Sequence, residues 1–459
     1  MQKFSSPYKI QYFLFVLLLV SCKAKTAPTA TLVPPTPTPA PVSTDTPAPT
    51  TAPTITPTHE PLYLTTATVV PEESRPLLLV HYMPWYQAPP IDSAWGWHWT
   101  MNHFNPDLKD ENGRRDVASH FYPLTGPYDS RDPALLEYQV LLMKLSGIDG
   151  VIVDWYGSEN FWDYGLLNES TQSLFQYIKK AGLLFSICYE DQTIRLMIDN
   201  NHIALEDART NAQKEMLYLQ ENLFSDDAYL RSSERPVLFV FGPQYFKSAS
   251  DWEKLFSVLN ATPVLITEDN PLPPVTTSSY PWPPMWASQN GVLNEQALND
   301  YLNSFYKKTA NWDFWVASAF PGFKDIYKEA GVSEGYGFLD ARDGETFKST
   351  IQLALKNNPD AIQLVTWNDY GEGTNIEPTI EYGYKYLGIV QDIIRASINP
   401  HFAYTSENLA LPLQIYKLRK QYEGNSDVNT QLDQAFLSII AGDLNAAKAI
   451  IAQYPITPR

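Results

Sequence analysis

Short apolar runs recur along the middle of the chain and alternate with longer stretches of helical periodicity. The runs lie at residues 77–82, 151–155, 183–189, 237–241, 264–268, 285–287, 315–319 and 362–366. They read as strands covered on both faces, because apolar residues occupy consecutive rather than alternate positions. Helical spacing occupies 133–146, 170–181, 203–222, 251–259, 295–309 and 346–357. Asp132-Pro133 reads as an N-cap followed by proline at the first helical position, and Gly147 and Gly182 are placed to close their helices. Eight strands in this rhythm predict an α/β fold, a (β/α)8 TIM barrel with long βα loops. An open doubly wound sheet would also alternate, but no glycine-rich phosphate loop follows the first run. Residues 382–396 read as the last barrel helix. Beyond them, 411–422 and 430–453 predict a helical hairpin, with Leu432, Ala435, Phe436, Ile439 and Ile440 on one face.

The first part of the chain has a different pattern. Lys3 and Lys9 precede an apolar core over 12–20 that is too short to span a bilayer comfortably. Leu19-Val20-Ser21-Cys22 then resembles a bacterial lipobox, in which the cysteine is lipidated and becomes the mature N-terminus. Residues 23–60 hold 10 Pro and 12 Thr, a composition that builds no core and stays extended. The expected organisation is a lipoprotein signal peptide over 1–22, a tether over 23–74, the barrel over 75–400 and a helical extension over 401–459. It predicts an extracytoplasmic protein, lipid-anchored to a membrane surface in the cell envelope through Cys22.

Composition narrows the chemistry. The chain of 459 residues carries 33 Lys+Arg against 51 Asp+Glu, a formal charge of -18, which argues against nucleic acid as a partner. With Cys22 in the targeting segment, Cys188 stands alone in the folded part and reads as a core residue, without an intrachain disulfide.

The predicted strand ends carry the candidate site. A parallel barrel presents its chemistry where its strands end. Here those ends read His81-Tyr82-Met83-Pro84-Trp85-Tyr86, Asp154-Trp155-Tyr156, Tyr189-Glu190-Asp191 and Glu268-Asp269-Asn270, with Trp286 at the sixth. The eighth delivers Trp367-Asn368-Asp369-Tyr370-Gly371-Glu372-Gly373-Thr374-Asn375-Ile376-Glu377-Pro378. Asp369 and Glu372 share one turn, and Glu377 follows closely. Paired carboxylates beside aromatic platforms suit glycosidic-bond cleavage, where one group moves protons and the other balances developing positive charge. Trp97, His98, Trp99 and His103 read as a substrate-lining loop. The histidines, with His81, match no zinc spacing, so no metal and no cofactor are expected.

These segments together resemble glycoside hydrolase families 71 and 99, in particular bacterial 71/99-like proteins, over roughly 77–398. Tyr82-Met83-Pro84-Trp85-Tyr86 is similar to the first-strand signature of family 99. The stretch from His120 to Pro133, which includes Tyr128, is similar to that family's segment before the first helix, and Asp154-Trp155-Tyr156 to its second strand end. In the eighth segment, Asp369 stands where family 99 has Glu and Gly371 where it has His. The Trp-Asn-Asp-Tyr-Gly-Glu form looks more like family 71, the α-1,3-glucanases, while Thr374, Ile376 and Glu377 look like family 99, the endo-acting α-mannosidases. The resemblance implies that Glu372 is the general acid and base at the glycosidic oxygen, and that Asp369 is the general base. In family 99 that base acts on the sugar's own 2-hydroxyl to give a 1,2-anhydro intermediate; in family 71, which inverts, it activates water. Shortening Glu to Asp withdraws the carboxylate by about one ångström.

The resemblance implies an α-linked oligo- or polysaccharide as partner and an endo-α-mannanase-like hydrolase, which the lipobox at Cys22 would make surface-anchored. An α-1,3-glucanase-like enzyme and a non-catalytic carbohydrate-binding lipoprotein are the alternatives. The expected substrate-binding residues are Tyr82, Trp85, Tyr86, Trp97, His98, Trp99, His103, Tyr128, Asp154, Trp155, Tyr156, Tyr189, Glu190, Trp286, Trp367, Asn368 and Glu377.

Overall fold

The structure, a computed structural model, describes residues 75–312 and 314–457. The segments expected to be a signal peptide and a tether, residues 1–74 with Cys22, lie outside the described residues. Eight strands form the barrel: β1 Leu77–Tyr82, β2 Gly150–Trp155, β3 Leu184–Tyr189, β4 Arg235–Val240, β5 Val264–Glu268, β6 Ser279–Tyr280, β7 Val316–Ala319 and β8 Ala361–Leu364. Their order is β6-β5-β4-β3-β2-β1-β8-β7, and every ladder along it is parallel. Pairing β1 with β8, from Leu77 opposite Ala361 to Val80 opposite Leu364, brings the two ends of the strand series together. Between β6 and β7 the backbone N–H of Phe314 reaches Ser278 Oγ at 3.4 Å, so the barrel is nearly closed.

Helices α1 Pro133–Ser146, α2 Tyr164–Lys180, α3 Ala208–Asn222, α4 Ala249–Phe256, α5 Glu295–Tyr306, α6 Glu345–Leu355 and α7 Lys385–Ser397 separate or follow the strands, except between β5 and β6. The Asp132 carboxylate accepts the Ala134 N–H, Pro133 opens α1, and Gly147 closes it at φ 77°.

Two expectations need correction. Residues 285–287 are a 3-10 turn, and the sixth strand is the two-residue β6. Pro283 and Pro284 lack the N–H a ladder requires, whereas β6 is too short and polar to leave an apolar run. The second concerns 430–453. After α8 Ala410–Gln421 come α9 Ser426–Ile440 and a separate α10 Leu444–Ile451. Gly442 at φ 82° breaks the helix, and the Asp443 carboxylate restarts it by accepting the Ala446 N–H. Arg419 of α8 bridges Glu137 of α1 at 2.7 Å and Asp433 of α9 at 2.6 Å, which fastens the extension to the barrel's helix layer.

Strand alternation decides what the barrel offers a ligand. Leu79, Ile152, Cys188, Phe239, Ile266, Tyr280, Val316 and Ala361 belong to one buried inner cluster. With side chains alternating along each strand, the inward positions that come next are His81, Asp154, Glu190 and Glu268. Tyr82, Trp155 and Tyr189 take the opposite face and join the core between sheet and helices.

Candidate active site

The chain leaving β8 folds back on itself. The Thr366 N–H donates to the Thr374 carbonyl at 2.9 Å, the Ile376 N–H returns to the Thr366 carbonyl at 2.9 Å, and Thr366 Oγ1 accepts the Asp369 N–H at 2.8 Å. Asn368 ties this turn to the end of β1. Its Oδ1 accepts the Met83 N–H at 2.8 Å, and its Nδ2 donates to the Met83 carbonyl at 2.9 Å. The Asp369 carboxylate accepts the Glu372 N–H at 2.9 Å. The loop after β7 closes over the turn from outside: the Lys324 N–H donates to the Glu372 carbonyl at 2.9 Å and the Ile326 N–H to the Gly371 carbonyl at 3.0 Å. Gly373 is required at this contact. Its φ is 65°, and a Cβ there would lie 2.5 Å from the Lys324 carbonyl oxygen.

Burial sets the acidities. Asp369 is 4% exposed and Glu372 9%. Burial pushes Asp369 up to about 6, against the N–H groups of Glu372 and Gly371 that stabilise its charge. Glu372 is held well above the usual carboxylate range by burial and then by the charges of Asp369, Asp325, Glu268 and Glu190; its buried Oε2 has no hydrogen-bond partner among the described residues. Burial, followed by Glu190, also raises Asp154. Glu190 is pushed up to about 7, and Glu268 to about 8, chiefly by burial. Asp369 thus gives up its proton before Glu372, whose ionisation the charge of Asp369 opposes, a division suited to a base and an acid.

The predicted site residues separate into four groups. Asp154 and Glu190 join Asp369 and Glu372 in the acid cluster. Trp85, His98 and Tyr156 complete this first group: the His98 ring stacks on Trp85 at 4.1 Å and 5°, and Tyr156, which feels the charges of Glu190 and Asp154, lies 6.4 Å from Trp85. Burial lowers His98 to about 3, so this ring is neutral.

A second group lies in the core around the turn. Tyr86, Trp99 and Tyr128 pack with Tyr370, at centroid distances from 4.2 to 6.5 Å. Glu377, fully buried, accepts the Tyr128 and Tyr370 hydroxyls at 2.8 Å each and Gln139 Nε2 at 2.7 Å. Trp367 and Asn368 are also buried here. These side chains brace the turn.

The third group is turned away from the acid cluster, which corrects the expectation for Tyr82, Trp155 and Tyr189. The Tyr82 hydroxyl donates to Gln139 of α1 at 2.8 Å. Trp155 stacks on Tyr218 of α3 and donates to Asn168 of α2, while Tyr189 packs against Trp155. The alternation that points Asp154 and Glu190 inward sends these neighbours outward. The last group is peripheral. Trp286 is 74% exposed beside Tyr301, His103 is exposed, and half-buried Trp97 packs edge-on to His98.

Residues outside these predictions also reach the site. Glu268 was visible as a strand end. Asp325, Tyr327 and Tyr336 come from the loop after β7, whose sequence has no helical or strand periodicity to place it. His81, Asp154 and Cys188 bring one potential ligand atom each within 4.8 Å of one another, all buried. Each comes from a different strand, so no sequence spacing announces them. Tetrahedral zinc would need these atoms drawn to about 3.5 Å apart and a fourth donor.

The model for Glycosyl hydrolase family 99 matches residues 75–268, from the start of β1 through β5. The glycoprotein endo-alpha-1,2-mannosidase of Mus musculus is 24% identical over 341 residues, 67% of this chain and 70% of the mouse protein. The glycoprotein endo-alpha-1,2-mannosidase-like protein of Danio rerio is 22% identical, over 66% of this chain and 70% of its own length. Among solved structures, the GH99 endo-alpha-mannosidase from Bacteroides thetaiotaomicron shares the fold with a TM-score of 0.52 at 21% identity, covering 70% of this chain and 96% of that one. The barrel and these relatives define a glycoside hydrolase. Within that class, the chain is a family-99-like protein.

Proposed function

We propose that this protein cleaves α-mannosidic bonds within a mannan-like glycan, with Glu372 as acid and Asp369 as base. The observation that carries the reading is their placement on one turn with unequal proton affinities. The names of the family-99 relatives support mannose over glucose.

In an α-mannoside the 2-hydroxyl is axial and trans to the leaving group. Asp369 takes its proton as the 2-oxygen bonds to the anomeric carbon; the glycosidic bond breaks and Glu372 protonates the departing oxygen. Water then opens the 1,2-anhydro sugar at the anomeric carbon, giving a proton to Glu372 while Asp369 returns its own to the 2-oxygen. Two displacements give net retention, and both acids regain their starting states. The shorter side chain of Asp369 favours a second reading, an α-glucan substrate attacked by water with inversion. Its equatorial 2-hydroxyl, cis to the leaving group, closes the anhydro route.

The proposed setting is a membrane surface, with lipid on Cys22 and residues 23–74 as the tether. Among the described residues no helix is long and apolar enough to cross a membrane. Reducing-end release from α-mannans and α-glucans, with proton NMR of the first product, tests the reading. Cleavage of α-mannan with an initial α-anomer is expected; an initial β-anomer, or cleavage of α-glucan alone, would overturn it.

A further inference from the structure

Inside the barrel, His81 of β1, Asp154 of β2 and Cys188 of β3 converge where the apolar inner cluster gives way to the acids. Asp154 and Cys188 stand opposite one another in the β2–β3 ladder, and His81 stands opposite Ile152, two residues before Asp154. A ring nitrogen, a carboxyl oxygen and the sulfur lie within 4.8 Å of one another, and none of the three residues is more than 2% exposed. Trp282 packs edge-on against the His81 ring, with centroids 5.0 Å apart, and holds it in place.

These groups lack the protein partners that buried polar atoms ordinarily have. Neither ring nitrogen of His81 has a hydrogen-bond partner among the described residues, and Asp154 Oδ2 has none either. Cys188 Sγ lies 3.7 Å from the Tyr280 hydroxyl, which donates to the Val240 carbonyl at 3.1 Å. Hydrogen bonds within the trio therefore do not account for its convergence; one atom bound by all three would.

We propose that His81, Asp154 and Cys188 bind a zinc ion. A thiolate, an imidazole and a carboxylate are donors that zinc takes, and the thiolate disfavours Mg²⁺ and Ca²⁺, which select oxygen. Tetrahedral ligation sets donor atoms about 3.5 Å apart, so the side chains must close by about 1 Å. Small χ rotations of His81 and Asp154 cover that distance with the strands in place. Glu190, the next inward residue of β3 and bonded to the Asp154 carboxyl, offers the fourth donor.

The surroundings suit the bound form. Gln363 of β8 adjoins His81, and its amide has no hydrogen-bond partner among the described residues. It can accept the N–H of the ring nitrogen that the ion leaves free. The Tyr280 hydroxyl can turn from Val240 to donate to the Cys188 thiolate. The negative charges of Cys188 and Asp154 balance those of the ion, and any protons they carry leave to solvent as it binds. Binding ties β1, β2 and β3 together, and it does not require that the protein be a glycosidase.

Cobalt, which takes zinc sites and colours them, is the probe. The full chain is stripped with a chelator and titrated with Co²⁺ while its absorption is followed. A sulfur-to-cobalt band in the near ultraviolet, with the strong visible bands of four-coordinate cobalt, should saturate at one ion per chain and vanish when Zn²⁺ is added. The chain has 2 Cys, so two variants assign the sulfur. Cys22→Ala should keep the sulfur-to-cobalt band, and Cys188→Ala should lose it. Absence of that band from the Cys22→Ala protein overturns the site, whether or not Cys188→Ala folds. A band that persists in folded Cys188→Ala also overturns it. A colourless wild-type titration overturns it too, leaving buried water to meet these groups.

Discussion

The Asp369 carboxylate accepts the backbone N–H of Glu372 at 2.9 Å, so the bond that seats one acid also holds the backbone of the other. The same turn is tied to β1 through Asn368 and to the loop after β7 through Gly371 and Glu372. Residues far apart in sequence thereby fix two carboxyls that burial raises and that the N–H bonds to Asp369, with the neighbouring negative charges on Glu372, push apart.

A bell-shaped pH dependence of kcat/KM should result. The base works only when ionised, so activity is lost as pH falls through about 6, where Asp369 takes up its proton. The acid works only when protonated, so activity is lost again as pH rises through the higher value of Glu372. Initial rates followed from pH 4 upward would show the acid limb near 6 and, above it, the fall as Glu372 ionises. A profile rising monotonically to high pH would contradict the assignment of Glu372 as acid.

Two glycine substitutions should act in opposite directions. Gly373→Ala puts a Cβ 2.5 Å from the Lys324 carbonyl at a positive φ, and should lower stability by about 1–3 kcal/mol together with activity. Gly388 lies within α7, and a Cβ there meets nothing within 4 Å. Gly388→Ala should raise stability by about 1 kcal/mol without touching activity. Denaturant unfolding of both variants checks this; equal effects would mean that Gly373 is not a close-contact glycine.

For the anchor, Cys22→Ala should abolish incorporation of labelled fatty acid, and a chain beginning near Leu62 should keep full activity. Labelled wild type and variant in parallel membrane fractions would show it. Equal labelling of the two would contradict lipidation at Cys22, and an inactive shortened chain would give the tether more than reach.

The sequence made the barrel visible because strands covered on both faces appear as uninterrupted apolar runs, and α1 visible through Asp132, Pro133 and Gly147. Those same runs concealed the facing of each residue. Trp155 and Asp154 are neighbours in a strand end, yet only the acid turns inward, because alternation continues beneath an apolar surface that does not alternate. β6 escaped because Ser279 and Tyr280 gain their place from neighbouring strands rather than from their own pattern. The Asp369–Glu372 turn could be read because the bracing residues Asn368, Tyr370 and Glu377 are sequential with it. Tyr327 and Tyr336 could not, since hydrogen bonds to Asp325 and to the turn's carbonyls place them, and no periodicity records such bonds.

Turnover of an α-mannan by Asp369→Asn and Glu372→Gln tests the central claim most directly. Each amide keeps nearly the shape of its acid and removes its capacity for proton transfer, so unfolding curves should stay close to wild type while kcat falls by about 10² to 10⁴ in each. Near-wild-type hydrolysis by either folded variant would contradict the account.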